Sequence, residues 1–257
     1  MGYIFDSTSA VDQGADPDGK KENFYADDYA KPVVADEYRS VYVYEAPIRL
    51  WHWVNVCAVI TLMITGYLIG VPLPSANGEA SEWFVMGYIR YAHFAAGYVF
   101  AVGILVRFWW GAVGNRFARQ VFYLPIWSRR WTSELAYQLR WQTFLERKPL
   151  RYLGHNPLAH VAMTALFLYP ALFMIATGFA MYSEAAGRDS WQHAIFYWVI
   201  DIWGNTIDVH LWHRMGMWTI ACFVIVHVYA AVREDIMSGQ SVIGVMFNGE
   251  RLFKRKF

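Results

Sequence analysis

Four runs of about twenty apolar residues, at 51–71, 91–112, 158–181 and 211–232, leave this chain few folds to adopt. A helix rises about 1.5 Å per residue, so each run is long enough to cross the ~30 Å hydrocarbon core of a bilayer. No water reaches the backbone N–H and C=O groups inside that layer. Only a helix or a closed barrel satisfies them within the chain. The runs are continuous rather than alternating, which reads as helix. The expected fold class is therefore all-α integral membrane, a four-transmembrane-helix bundle. Thirteen Trp, 17 Tyr and 17 Phe accompany the runs and gather at their ends, as expected of membrane-interface belts. A formal net charge of +1 removes any global electrostatic case for nucleic acid. The first forty residues show no basic start followed by an apolar core, so the first run itself is expected to direct insertion.

The last run carries two histidines, His213 and His227. Imidazoles in hydrocarbon are costly unless something satisfies them. Fourteen residues is nearly four helical turns, so both rings leave one face, roughly 21 Å apart along the axis. A stacked pair of haems, each taking one axial ligand from this helix, requires that arrangement. The competing reading is two structural histidines bonded to neighbouring helices.

Charge sets the expected topology. The 113–156 loop holds Arg116, Arg119, Arg129, Arg130, Arg140, Arg147, Lys148 and Arg151 against only Glu134 and Glu146. The tail after Val232 is also basic, and the 73–89 loop has no Lys or Arg. Basic loops stay in the cytoplasm, so both termini are expected there. His52 and His227 then fall at the cytoplasmic side, and His93 and His213 at the outer side. Two depth-matched pairs follow, His52 with His227 and His93 with His213, each suited to one b-type haem. The remaining histidines have blander readings. His210 reads as a surface residue, with replacement of His213 as the alternative, His155 as a loop residue and His193 as exposed or in a partner interface. His160 opens the third run, as a helix cap, a quinone contact or a competing ligand for the inner haem.

Arg49, Arg90, Arg107 and Arg214 lie near these histidines or at matching depth, as candidates for pairing haem propionates; snorkelling to headgroups is the alternative. Asn115, just past the second run, is a second quinone candidate beside an ordinary helix-end role. Cys57 and Cys222 read as buried small apolar residues. The 113–156 loop and residues 188–209 read as amphipathic interfacial pieces, and His155-Asn156-Pro157 as a helix start. Residues 1–40 read as a polar cytoplasmic tail, 41–232 as the membrane domain and 233–257 as a basic cytoplasmic tail. The runs contain no Asp or Glu, which argues against a proton-coupled transporter.

Arg49-Leu50-Trp51-His52-Trp53 through Thr65-Gly66 resembles the first signature of the cytochrome b subunit of membrane-bound [NiFe] hydrogenases. His213-Arg214-Met215, with Trp218, Phe223 and His227, resembles its second. The stretch from Arg233-Glu234-Asp235-Ile236 to Asn248-Gly249-Glu250 resembles its C-terminus. The resemblance runs from about Tyr42 to Lys254. It implies a diheme, quinone-reactive anchor in a bacterial inner membrane, with two haem b held by His52, His93, His213 and His227. It also implies hydrogenase small and large subunits as partners. Formate dehydrogenase cytochrome b subunits share the four-helix plan and remain an alternative, as does a membrane scaffold without redox chemistry. The chain has no nickel site of its own, so any hydrogen chemistry belongs to a partner.

Overall fold

The structure, a computed structural model, describes residues 34–35, 38–73 and 84–254. Strands β1 (Val34–Ala35) and β2 (Tyr38–Tyr42) come first. Helices α1 (Ala46–Gly70), α2 (Val85–Val113), α3 (Arg116–Arg119) and α4 (Arg129–Gln142) follow. Then come α5 (Pro157–Ala186), α6 (Trp191–Phe196) and α7 (Trp198–Trp203). Last are α8 (Thr206–Ser238), α9 (Val245–Asn248) and β3 (Glu250–Lys254). By length and composition α1, α2, α5 and α8 are each able to cross a membrane. The all-α membrane class and the four spans stand as expected.

The helices outrun the apolar runs, because backbone hydrogen bonding continues into the interface after hydrophobicity has ended. One consequence is a correction. Glu234 lies inside α8 and is 6% exposed, so the helices do carry carboxylates although the apolar runs do not. A second correction concerns Cys57 and Cys222, which are free and exposed rather than buried. On a spanning helix an exposed face meets lipid, which suits a small apolar thiol.

Asn156 caps α5, its Oδ1 accepting from the Ala159 N–H at 2.7 Å, with Pro157 in the first turn. The helix widens to a π turn over Met163–Leu168. Pro170 follows after Tyr169. It has no N–H for the Leu166 carbonyl and its ring would crowd that oxygen, so the turn ahead of it opens.

The chain divides into two compact units. The first comprises the described residues up to Leu50, then Phe108–Thr164 and the chain from Val226 onward. Its sheet has the order β1-β2-β3, both pairs antiparallel, with Val41 opposite Arg251. Segments that read as two separate tails therefore pair with one another. Residues 1–33 of the first, and Arg255 and Lys256 of the second, lie outside the described residues. So do Pro74, Asn77 and Gly78 of the first exit loop. The Glu45 carboxylate accepts from Trp110 Nε1 and the Asn115 N–H, both at 3.0 Å. Val43, Tyr44, Ile48, Phe117, Val245 and Phe253 form the core beside it. The amphipathic helix expected in the 113–156 loop is α4, capped by Ser128.

The second unit holds Trp51–Arg107 and Ala165–Ile225. Segments of all four long helices pack there. Thr65 of α1 meets His93 of α2, and Thr177 of α5 meets His213 of α8. Phe100 of α2 packs edge-on to Phe167 of α5, with ring centroids 6.3 Å apart. A Cβ on Gly66 of α1 would lie 3.7 Å from Met217 Sδ of α8.

Candidate functional site

Two histidines of the second unit are held in the same way by different helices. His93 Nδ1 lies 2.9 Å from Thr65 Oγ1. That hydroxyl is also 2.6 Å from the Thr61 carbonyl oxygen one turn earlier. A hydroxyl has a single proton, and a carbonyl only accepts. The Thr65 proton therefore goes to Thr61, and its oxygen accepts from His93 Nδ1–H. The network assigns the ring proton to Nδ1 and leaves Nε2 with a free lone pair. His213 repeats the arrangement. Its Nδ1 is 2.7 Å from Thr177 Oγ1, which lies 2.8 Å from the Phe173 carbonyl oxygen.

A glycine follows each of these threonines and gives its ring room. A Cβ at Gly66 would stand 3.2 Å from His93 Cε1, and one at Gly178 would stand 3.3 Å from His213 Cε1. Both rings thus rest on bare backbone. The two also lie at similar heights. Gly66 faces Met217, one turn past His213, and Gly70 faces Arg214. The α1 turn that holds His93 is therefore within about one turn of the level of His213. Neutral imidazoles fixed at Nδ1, with Nε2 basic, are the form that ligates a metal, and a hydrogen bond at the other nitrogen is the usual way to hold it.

The Thr-Gly pairs were partly missed from sequence. Thr65-Gly66 stands in the first signature, but its partner Thr177-Gly178 carried no assignment. The recurrence of the dipeptide in two spans was the available signal.

The other candidates fall as follows. His52 is half-buried on α1 in the second unit, its ring edge-on to Trp53 with centroids 5.0 Å apart. His227 is exposed on α8 and belongs to the first unit. Arg214 is exposed, its guanidinium lying over Gly70, and Arg90 is exposed one turn before His93. Arg107 is buried over the Trp51 ring, 5.6 Å from its centroid. Arg49 Nη1 donates to the Phe247 carbonyl. His210 is exposed, and His193 stacks on Tyr197 with centroids 4.2 Å apart. His155 is engaged by the Tyr44 hydroxyl at 3.1 Å.

Asn115 has a structural occupation. Its Oδ1 caps α3 through the Ala118 N–H, and its Nδ2 donates to the Val43 carbonyl, each at 3.0 Å. Asn115→Ala is expected to lower stability by about 1–2 kcal/mol. Thermal unfolding of detergent-solubilised protein reads this directly, and an unchanged melting temperature would contradict the cap. His160 is 1% exposed, edge-on to Trp131, and neither ring nitrogen has a hydrogen-bond partner among the described residues.

A family model described as prokaryotic cytochrome b561 matches residues 43–249. The chain is 54% identical over 233 residues to a probable Ni/Fe-hydrogenase B-type cytochrome subunit of Rhizobium leguminosarum bv. viciae, covering 91% of this chain and 97% of that protein. It is 58% identical over 215 residues to the protein of the same name from Bradyrhizobium diazoefficiens, covering 84% and 87%. It is 49% identical over 227 residues to a probable Ni/Fe-hydrogenase 1 B-type cytochrome subunit of Escherichia coli, covering 86% and 94%.

Proposed function

Because this chain belongs to the prokaryotic cytochrome b561 family, we propose that it is the membrane-bound cytochrome b of a hydrogenase, carrying electrons from the hydrogenase small subunit to the quinone pool. Relatives covering most of its length bear the name of hydrogenase B-type cytochrome subunits. Their name implies haem b, and the donor set suits it. The observation that carries the ligand assignment is the matched pair of imidazoles, His93 and His213, each held at Nδ1 by a threonine with Nε2 left basic.

In this reading His93 and His213 hold one haem b, and His52 and His227 hold a second. Haem b supplies a one-electron couple that side chains lack. The protein contributes fixed ligands, a low-dielectric setting and compensating charge. Arg214 and Arg90 flank the His93–His213 level as propionate partners, and Arg107 and Arg49 take that role toward the second haem. The chain lies in a bacterial inner membrane with both termini cytoplasmic. The hydrogenase small and large subunits stand at the outer side. Quinone is reduced near the cytoplasmic side, where Asn115 and His160 are the candidate contacts, and protons are drawn from that side. Hydrogen chemistry stays with the partner.

The test is an optical and stoichiometric one on the native complex. A low-spin b-type spectrum with about two haems per chain, reducible by hydrogen and reoxidised by added quinone, is the expected result. A preparation with one haem per chain removes the second ligand pair. A complex with no b-type absorption removes the whole reading.

A further inference from the structure

Helix α4 buries an unusual face. Trp131, Glu134, Gln138 and Trp141 recur at i, i+3, i+7 and i+10, which makes one stripe on a helix. Trp131 and Trp141 are 1% exposed and Gln138 is fully buried. The groups that face the stripe are polar as well. His160 lies edge-on to Trp131, the Tyr152 hydroxyl faces the Gln138 amide, and Trp141 Nε1 donates to the Glu234 carboxylate at 3.3 Å. From Trp131 to Trp141 this row runs about 15 Å along the helix.

Most of the row has no hydrogen-bond partner. Trp131 Nε1 and both ring nitrogens of His160 are buried and unpaired among the described residues, and the Tyr152 hydroxyl and the Gln138 amide have nothing there but each other, without good hydrogen-bond geometry. An unpaired buried polar group is costly, and native proteins meet such clusters with ordered water making about three bonds each. A row designed only for packing would be apolar here.

We infer that the buried face of α4 is lined by water and forms a proton path serving quinone reduction. This rests on the function proposed above. Reduction of a quinone to a quinol takes two electrons and two protons. The electrons come from hydrogen through the cytochrome, and the protons come from bulk water through the row. Each transfer breaks one O–H or N–H bond and makes another at the next acceptor, so every relay group ends as it began. Tyr152 suits such a relay. Burial pushes its hydroxyl well above the usual tyrosine range, aided by the charges of Glu134 and Glu234 and by Tyr137, while the Gln138 amide opposes the shift. It therefore stays protonated at neutral pH. Arg233 and Arg251 face Glu234 at one end of the row. His160, in the first turn of α5, stands at the other.

Tyr152→Phe and Gln138→Leu test this in the native complex in membrane vesicles. Three quantities are read: haem reduction by hydrogen, quinone-analogue reduction, and its solvent deuterium isotope effect. The expected result is normal haem content and normal haem reduction by hydrogen. Quinone-reduction kcat falls about tenfold with KM unchanged, the isotope effect rises, and Gln138→His recovers the rate. Tyr152→Phe removes one oxygen and adds nothing, so it carries the test if Gln138→Leu does not fold. A raised KM with an unchanged isotope effect would instead make the row a quinone head-group site and overturn the path. Unchanged kcat and isotope effect in both variants would overturn it too. A map of the complex that resolves water elsewhere but none along this row would sink the path and leave the quinone assignment standing. Wild-type complex that reduces its haem but no quinone would sink both.

Discussion

His213→Ala is expected to remove one haem from each chain, about half of the total. The ring offers Nε2 as a lone-pair donor because its proton stays on Nδ1, which donates to Thr177 Oγ1, and alanine offers nothing at that position. His93→Ala should cost the same haem, since both imidazoles stand within about one helical turn of each other. The double variant is the sharper measurement. If one iron uses both rings, removing the second ring after the first costs nothing more, and the two losses are not additive. His52→Ala and His227→Ala should behave as a second such pair. Haem extracted per chain, read as pyridine haemochrome, decides the matter. A His93→Ala/His213→Ala double variant that loses both haems would show that these rings serve different irons, and the pairing by depth would fail.

Thr177→Val should keep the haem and raise its midpoint potential. Valine matches threonine in shape but cannot accept from Nδ1–H. A hydrogen bond at that nitrogen makes the imidazole a stronger donor, which favours the ferric state. Without it the ferrous state gains. A net hydrogen bond of about 1 kcal/mol corresponds to roughly 40 mV for a one-electron couple. Thr65→Val should act likewise through His93. Thr177→Ser keeps the oxygen and should restore the original potential. Redox titration of the α band measures the shift. A potential that does not move, or moves downward, would mean that Thr177 merely fills space.

Much of the fold was legible because apolar length is a local property. Each run of about twenty apolar residues demands a helix in lipid whatever its neighbours do, and all four appear. The helix start at Asn156-Pro157 was legible for the same reason, since a cap needs only a side-chain acceptor and three following residues. Element ends were not. Hydropathy marks where lipid stops rather than where hydrogen bonding stops, so Glu234 seemed to lie beyond the fourth helix and instead lies inside it.

The site divides in the same way. Periodicity on one helix predicts a shared face for His213 and His227, and loop charge predicts which side of the membrane each lies near. Neither can name the third group that fixes a ring, because Thr65 and Thr177 lie 28 and 36 residues from the histidines they hold. The buried stripe of α4 was hidden for a related reason. Gln138 on an amphipathic helix reads as a solvated residue until the chain lays Tyr152 against it.

From sequence alone the chain reads as a four-span membrane protein whose histidines are spaced as iron ligands would be, since burial in lipid and helical pitch act within single segments. Tertiary structure alone decided which imidazole nitrogen keeps its proton, and which polar groups are sealed away from solvent. Both depend on short contacts between segments far apart along the chain, and no pattern within one helix encodes the distance to another.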